Sequence, residues 1–543
     1  MRQNPFSMPP LLPVHRLRCF ARVAVGALLA GGLCSDVTGA ESPENPAPNS
    51  FYIREFRIFG SQKVPRVEAE EAVYPFLGPA RTEQDVEQAR AALEKLYQDK
   101  GYQAASVEVP PQRAPGGVVV LQVREGKVGA LRVKGARYFL PSQIKAMAQS
   151  LAEGKVLNFN DITRDIVALN QLPERQVTPA LRPGMEPGTV DIDLNVQDKL
   201  PLHASVELNN RYSPNTSSLR LNLSASYNNL WQLGHTLGAS FQTAPEKPEE
   251  VKVFSGFYLF RIPGLESVSW MLQGIKQDSN VSTLSTLAVA GRGEVLGAHA
   301  VITLPSTQTF FQSINLGFDY KHFNQDINSA GVTIPTPITY YPVSAAYSAT
   351  WMTPGQVTEF NTNLVLHFRG MGSDGREFDE SRFKADGSFI YLRSDLARTQ
   401  DLPWGLQLFG KAQGQISDQP LINSEQFAGG GLNTARGYLE AETLGDNAIF
   451  GSIELRSPSL LSRWAARGNE WRIYAFADAG YLMLQDALPE QESEFRLASF
   501  GFGSRLQLMD HLNGSLDMGM PLIGQSTTRV HSPLFTFRVW ADF

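Results

Sequence analysis

Arg436 and Asp478 are the two residues of this sequence whose types and surroundings point to one specific contact. Arg436 sits at the tip of a glycine-rich stretch, Gly429-Gly430-Gly431-Leu432-Asn433-Thr434-Ala435-Arg436-Gly437-Tyr438. About 40 residues on, Phe476-Ala477-Asp478-Ala479-Gly480 reads as a strand of period two. Phe476, Asp478 and Gly480 then share one face, and Ala475, Ala477 and Ala479 the other. The alanine face suits lipid, which leaves the aspartate on the inner wall of a barrel. An arginine on a loop is a natural partner for it, because the planar guanidinium can hold a carboxylate with two parallel hydrogen bonds. Glycine's conformational freedom lets such a loop enter a lumen. In a wet lumen the pair is expected to fix position more than to add stability.

Bond-making chemistry has no comparable signal. The sequence has no Gly-Lys-Ser/Thr phosphate loop, no His-Glu-x-x-His pair and no Gly-x-Ser-x-Gly elbow. Its histidines (His15, His203, His235, His299, His322, His367, His511, His531) are scattered. The expectation is a protein that is not an enzyme, with no catalytic residue, no metal and no cofactor. Forty-eight basic residues against 54 acidic ones, a net charge of −6, give no footprint for nucleic acid.

The pair needs a wall and a loop, and alternation supplies the wall. Leu202, Ala204, Val206 and Leu208 alternate with His203, Ser205, Glu207 and Asn209. Leu219, Leu221, Leu223 and Ala225 do the same with their neighbours, as do the stretches 251–259, 312–320, 406–416, 512–520 and 534–543. Residues 200–543, at about 10 per strand with turns and loops, suit about 16 antiparallel strands of a membrane barrel. Closure is required, since an open edge in lipid leaves backbone groups unpaired at several kcal/mol each. Trp231, Trp270, Trp351, Trp404 and Trp540 suit belts at the membrane interfaces. A mean hydropathy of −0.19 is no objection, because alternating strands average to neutral.

Ahead of the wall lie a leader and two small units. Arg16, Arg18 and Arg22 precede an apolar run from Val23 to Cys34, and Thr38-Gly39-Ala40 offers a cleavage site. Residues 1–40 thus read as a signal peptide. They contain both cysteines, Cys19 and Cys34, so the exported part has none. Residues 41–50 read as a Pro-rich tether. Within 51–126 and 127–199 a pattern repeats: Phe56-x-Ile58-x-Gly60 returns as Leu131-x-Val133-x-Gly135, and Val119-x-Leu121-x-Val123 as Ile192-x-Leu194-x-Val196. Thr82 and Asp85 suggest a capping box before Val86, Ala89, Leu93, Leu96 and Tyr97, one apolar helix face that Gly101 ends. Asn158 suggests a cap for a helix carrying Ile162, Ile166 and Leu169. An α+β unit with an open sheet edge can take an extended chain as an added strand. The edge and the helix face with Val86, Leu93 and Tyr97 are the candidate partner contacts.

Arg436-Gly437-Tyr438 resembles the inward loop tip of two-partner secretion outer-membrane transporters (TpsB type, the ShlB/FhaC/HecB haemolysin secretion/activation family). Phe476-x-Asp478-x-Gly480 resembles that family's barrel-wall motif. The two small units resemble POTRA domains, and Val109-Pro110-Pro111-Gln112 a piece of the family's first copy. Phe543 resembles the terminal aromatic read by barrel-assembly machinery. The resemblance implies a membrane all-β fold, a C-terminal transmembrane β-barrel of about 16 antiparallel strands behind two α+β POTRA domains. It places the loop at about 423–445 inside the barrel, with Arg436 held by Asp478. It implies an outer-membrane monomer, POTRA domains in the periplasm, that captures an exported protein bearing an N-terminal secretion domain and secretes it without ATP. Outer-membrane lipid and the barrel-assembly machinery are its other implied partners. A barrel-assembly insertase of the same superfamily, which usually carries more POTRA copies, and a passive channel are the alternatives. The chain departs from the family in having Ala435 where valine is common. With about ten residues before the first POTRA strand, its N-terminal plug helix is expected to be short or absent.

Overall fold

The computed structural model describes residues 50–262, 265, 267–279, 281–282, 289–290, 292–329, 332–461, 469–509 and 511–543. The leader read over 1–40, and the tether read over 41–50 except its last residue, lie outside the described residues. The chain divides into two compact units that meet between Leu200 and Pro201.

The N-terminal unit holds two copies of one plan. In the first, Glu55–Phe59, Val118–Arg124 and Ser106–Glu108 form a three-stranded sheet in that order, with helices Arg66–Val73 and Glu83–Asp99. The second has Lys127–Lys134, Thr189–Asp198 and Arg175–Pro183 in the same arrangement, with helices Pro141–Met147 and Phe159–Leu169. The repeated glycines have a steric cause. Each ends its copy's first strand at positive φ, 82° at Gly60 and 84° at Gly135, with the site of a Cβ 2.2 and 2.4 Å from the carbonyl oxygens of Val123 and Val196. No side chain fits there. Asp85 closes the start of the long helix by accepting both the N–H and the hydroxyl of Thr82 at 2.8 Å. The reciprocal capping box expected here is formed, with the Asp85 backbone N–H meeting the Thr82 side chain in return. Asn158 caps as expected, its Oδ1 accepting from the Asn160 N–H at 2.9 Å.

One expectation for this unit is corrected. Val86, Leu93 and Tyr97 pack with Phe56, Leu121 and Val123 in the first copy's core, Leu93 and Tyr97 at 0 % exposure. Apolar residues at helical spacing mark the face that folding buries, so these three hold the unit together and present nothing to a partner.

Pro201–Phe543 closes into an antiparallel barrel of seventeen strand segments. Two of them, Val332–Tyr340 and Val343–Thr353, run in series along Phe310–Ser329. Pro342, which has no N–H for the ladder, lies at the break, so the wall has sixteen positions. Closure joins Leu202–Asn209 to Leu534–Asp542 over five residue pairs, Arg538↔Asn209 to Asp542↔Ser205. Glu207 and Arg538 bridge this seam with two hydrogen bonds of 3.0 and 2.7 Å, and Phe543 exchanges backbone bonds with Ala204. Leu208, Ile449, Ile453, Ile473, Phe502, Phe535 and Val539 face outward, as lipid requires. Trp231, Trp270, Trp351 and Trp404 are exposed at the tight-turn end, where they form a single belt. Trp540 is the exception: strand parity turns it into the lumen, under the guanidinium of Arg538 at 4.8 Å.

Candidate functional site

The long connection from Ser417 to Asn447 folds back into the barrel. Its stem is a small ladder, Phe427–Gly429 against Thr443–Gly445. Gly430 and Gly431 turn the hairpin at φ 99° and 90°, where a Cβ would strike the Leu439 carbonyl and the Glu440 carboxylate. Below the turn, Ala435, Arg436 and Tyr438 are buried against the wall. The strand parity expected for the wall motif holds: Phe476 and Asp478 point inward and Ala475, Ala477 and Ala479 outward.

Arg436 meets Asp478 with three hydrogen bonds. Its Nε and Nη2 donate to the two carboxylate oxygens at 2.8 and 2.7 Å, and its backbone N–H donates at 3.0 Å. Nη1 donates to Glu454 at 2.6 Å and Nη2 to the Ser452 hydroxyl at 3.0 Å. Ser452 in turn donates to Asp478 at 2.6 Å. The guanidinium carbon lies 3.5 Å from the centre of the Phe476 ring, which gives the motif's aromatic residue a cation–π role. Phe450 fills the space beside Gly480, where a Cβ would lie 2.1 Å from the ring.

The lumen around this pair is not wet. Arg436 is 5 % exposed and Asp478 4 %, so the expectation of a solvated pair is corrected to a buried one. Two further carboxylates share the guanidinium, Glu454 and, at 3.7 Å, Asp517. Arg456 and Arg505 answer them on Glu454 at 2.7 and 3.2 Å, and the Tyr474 hydroxyl donates to Asp517 at 2.6 Å. Three arginines thus balance three carboxylates, which is the condition for burying charge at tolerable cost.

The rest of the tip is seated by shape. Gly437, at φ 91°, lies on Gly519 of the strand Leu512–Pro521, and a Cβ on either glycine would come within 3.0 Å of the other's backbone. The Tyr438 hydroxyl lies 2.8 Å from the Ile523 carbonyl and accepts the Ala498 N–H at 3.1 Å. Higher on the hairpin, Glu440 pairs with Arg211, just past the first barrel strand, at 2.6 Å. Sequence reasoning did not find Glu454, Asp517, Arg456, Arg505 or Arg211. Their signal was parity: Glu454 stands across from Phe476 and Ser452 across from Asp478, but only once the register of the two strands is known.

A closed sixteen-position barrel with a hairpin latched inside it, in a chain that also carries two small sheet-and-helix units, defines an outer-membrane transporter of the polypeptide-secreting kind. Residues 188–506 match the family model for haemolysin secretion/activation protein ShlB/FhaC/HecB, and residues 51–126 match the ShlB-type POTRA domain. The chain belongs to this family. It is similar to the outer membrane transporter CdiB of Dickeya dadantii (strain 3937), 22 % identical over 75 % of this chain and 72 % of the relative. It is also similar to the heme/hemopexin transporter protein HuxB of Haemophilus influenzae (strain ATCC 51907 / DSM 11121 / KW20 / Rd), 18 % identical over 72 % and 69 %. The solved CdiB from Escherichia coli shares its fold, with a TM-score of 0.60 and 19 % identity over 93 % of both chains. The chain is an outer-membrane, two-partner secretion transporter with periplasmic POTRA domains and an exported protein as its partner.

Proposed function

We propose that Arg436, Gly437 and Tyr438 are the seat of a latch that keeps the hairpin registered in the lumen, and that secretion depends on it. The observation carrying this reading is the three-bond contact between Arg436 and Asp478, buried among balanced charges. Such a latch sets the inner shape of the pore without catalysis, so the transporter works by binding and threading. Direction then comes from the partner's folding outside. Phe543, held in the closing seam, is the residue the assembly machinery reads, and the barrel acts as a monomer in lipid.

For capture we propose the first POTRA copy. Both edges of the second copy are occupied or blunted. Along Arg175–Pro183 the Asn170 side chain holds the Val177 N–H and C=O at 2.6 and 3.0 Å, and Pro179 and Pro183 have no N–H to offer. Along Lys127–Lys134 the N–H groups of Leu131 and Val128 donate to Glu153 and to the Lys155 carbonyl. In the first copy, Ser106–Glu108 covers Val118–Arg124 only over residues 122–124. Beyond it the exposed Gln112 amide stands in for a strand, pairing with both backbone groups of Val120 at 2.8 Å. An extended segment of the partner that displaces this side chain gains a ladder. A chain lacking residues 51–125 is expected to assemble a heat-resistant barrel and to lose all cross-linking to the partner in the periplasm. Retained cross-linking would dismiss the first copy as the capture site.

A further inference from the structure

The segment 368–388, between strands Gln356–His367 and Phe389–Asp401, lies over the long-loop mouth of the barrel. It carries a helix, Gly375–Ser381, nucleated by a reciprocal cap. Asp374 accepts the N–H groups of Arg376 and Glu377 at 3.0 and 2.9 Å, and Glu377 accepts the Asp374 N–H at 2.9 Å. Phe378 points down from this helix and is 1 % exposed. Its ring lies 6.0 Å from that of Tyr340 and 5.5 Å from that of His367. The absence of a Cβ on Gly387 makes room for it, since one there would come within 2.8 Å of the ring.

The segment is tied on two sides by different kinds of contact. On the wall side three ties end on backbone carbonyls: the Ser373 N–H donates to the Thr339 carbonyl at 2.7 Å, and the His367 ring nitrogens of the wall lie 2.5 and 2.8 Å from the segment's Gly387 and Met371 carbonyls. On the far side they are two side chains. Arg382 donates to the Gln485 carbonyl at 2.9 Å, and Lys384 pairs with Asp486 at 2.6 Å, both on the loop that follows strand Glu470–Met483. Gly370 and Gly372 at positive φ, 91° and 103°, sit between the wall and the helix. Beneath, Leu421 and Ile422 at the base of the inward hairpin complete the packing. None of these contacts involves Arg436.

We infer that the helix Gly375–Ser381 is an outer gate. In the closed state Phe378 and the Arg382 and Lys384 ties seal the mouth. To let the partner's chain out, the helix swings away from the loop at Gln485 and Asp486 on its wall-side ties, while the Arg436 hairpin keeps its seat. An exposed ion pair such as Lys384–Asp486 is weak enough to break in each cycle. The wall-side ties keep the lid attached.

The test is ionic current through the purified full chain in a planar bilayer in potassium chloride. In a Lys384→Cys/Asp486→Cys chain joined by a short bis-maleimide with a cleavable disulfide spacer, opening events are expected to fall about tenfold or more and to return when reductant cuts the spacer. Phe378→Ala, which empties the aromatic box, is expected to raise opening frequency about tenfold or more. Lys384→Glu, which alters only an exposed pair and leaves the packing intact, is expected to raise it less and serves if Phe378→Ala does not assemble. A bridged channel that opens as often as the unbridged one overturns the gate. So does wild-type opening frequency in the assembled Phe378→Ala chain, or in Lys384→Glu where that one does not assemble.

Discussion

Replacing Arg436 with alanine removes every side-chain bond that this residue makes to the wall and leaves the Tyr438 and Glu440 contacts in place. The lost donors are those at 2.8 and 2.7 Å to Asp478, 2.6 Å to Glu454 and 3.0 Å to Ser452. Two arginines then face three carboxylates in a space with almost no access to water. Breaking one partner out of a buried ion pair costs about 3–5 kcal/mol. The barrel ladders do not run through this side chain, so the loss falls on the seated state of the hairpin. It multiplies the unseated fraction by roughly 10²–10⁴. The assay is modification of Thr434→Cys, a buried position on the hairpin, by a membrane-impermeant maleimide. Cys19 and Cys34 are the only native cysteines, both in the stretch read from its sequence as a leader, and both are replaced by serine in the labelling background. Thr434 gives up its 2.9 Å bond to the Gly430 carbonyl in both backgrounds, so that loss cancels. Labelling should accelerate about 100-fold or more in Arg436→Ala. It should accelerate less in Arg436→Lys, which keeps the charge and loses the fork. An unchanged labelling rate in an assembled Arg436→Ala barrel would refute the latch.

Gly437→Ala should unseat the same hairpin from the other side. It asks an alanine to hold φ 91° with its Cβ 3.0 Å from Gly519, a strain of about 1–3 kcal/mol. Faster labelling of Thr434→Cys checks this, and wild-type protection would count against the fit. In the first POTRA copy, burial pushes the Tyr97 hydroxyl from 10.0 up to about 12. The folded state prefers the neutral phenol, so this contribution is whole below pH 10 and is lost as pH rises from 10 to 12. The loss is about 2 kcal/mol. Urea midpoints of the N-terminal unit in the full chain, followed by limited proteolysis, should fall across that window in the wild type and less in Tyr97→Phe. Parallel curves would remove Tyr97 from the explanation.

Much of this architecture was legible because strand parity is a local property. Phe476-x-Asp478-x-Gly480 declared its inner face without any knowledge of neighbours, and the same parity accounts for the outward Phe535 and Val539. Register is a different matter. The thirteen residues from 457 to 469 between strands Asn447–Arg456 and Glu470–Met483 do not fix which residue faces which. Glu454 therefore could not be placed beside Arg436, and the buried charge balance stayed hidden. Tyr97 and Leu93 show the opposite failure, since an apolar helical face looks the same whether a core or a partner covers it. The helix Gly375–Ser381 carried its Asp374-x-x-Glu377 cap in plain view, but seven residues are too few for an amphipathic period to stand out. Trp540 was misplaced because belts were inferred from residue type, while parity with Arg538 decides its side.

The most direct test of the account is secretion itself. The chain is co-produced in a Gram-negative host with its cognate exported protein, and the protein released to the medium is measured at matched levels of assembled barrel. The account predicts full release by the wild type, at least about tenfold less with Arg436→Ala or Asp478→Arg, and partial recovery when Arg436→Asp is combined with Asp478→Arg. Undiminished release by Arg436→Ala would contradict it.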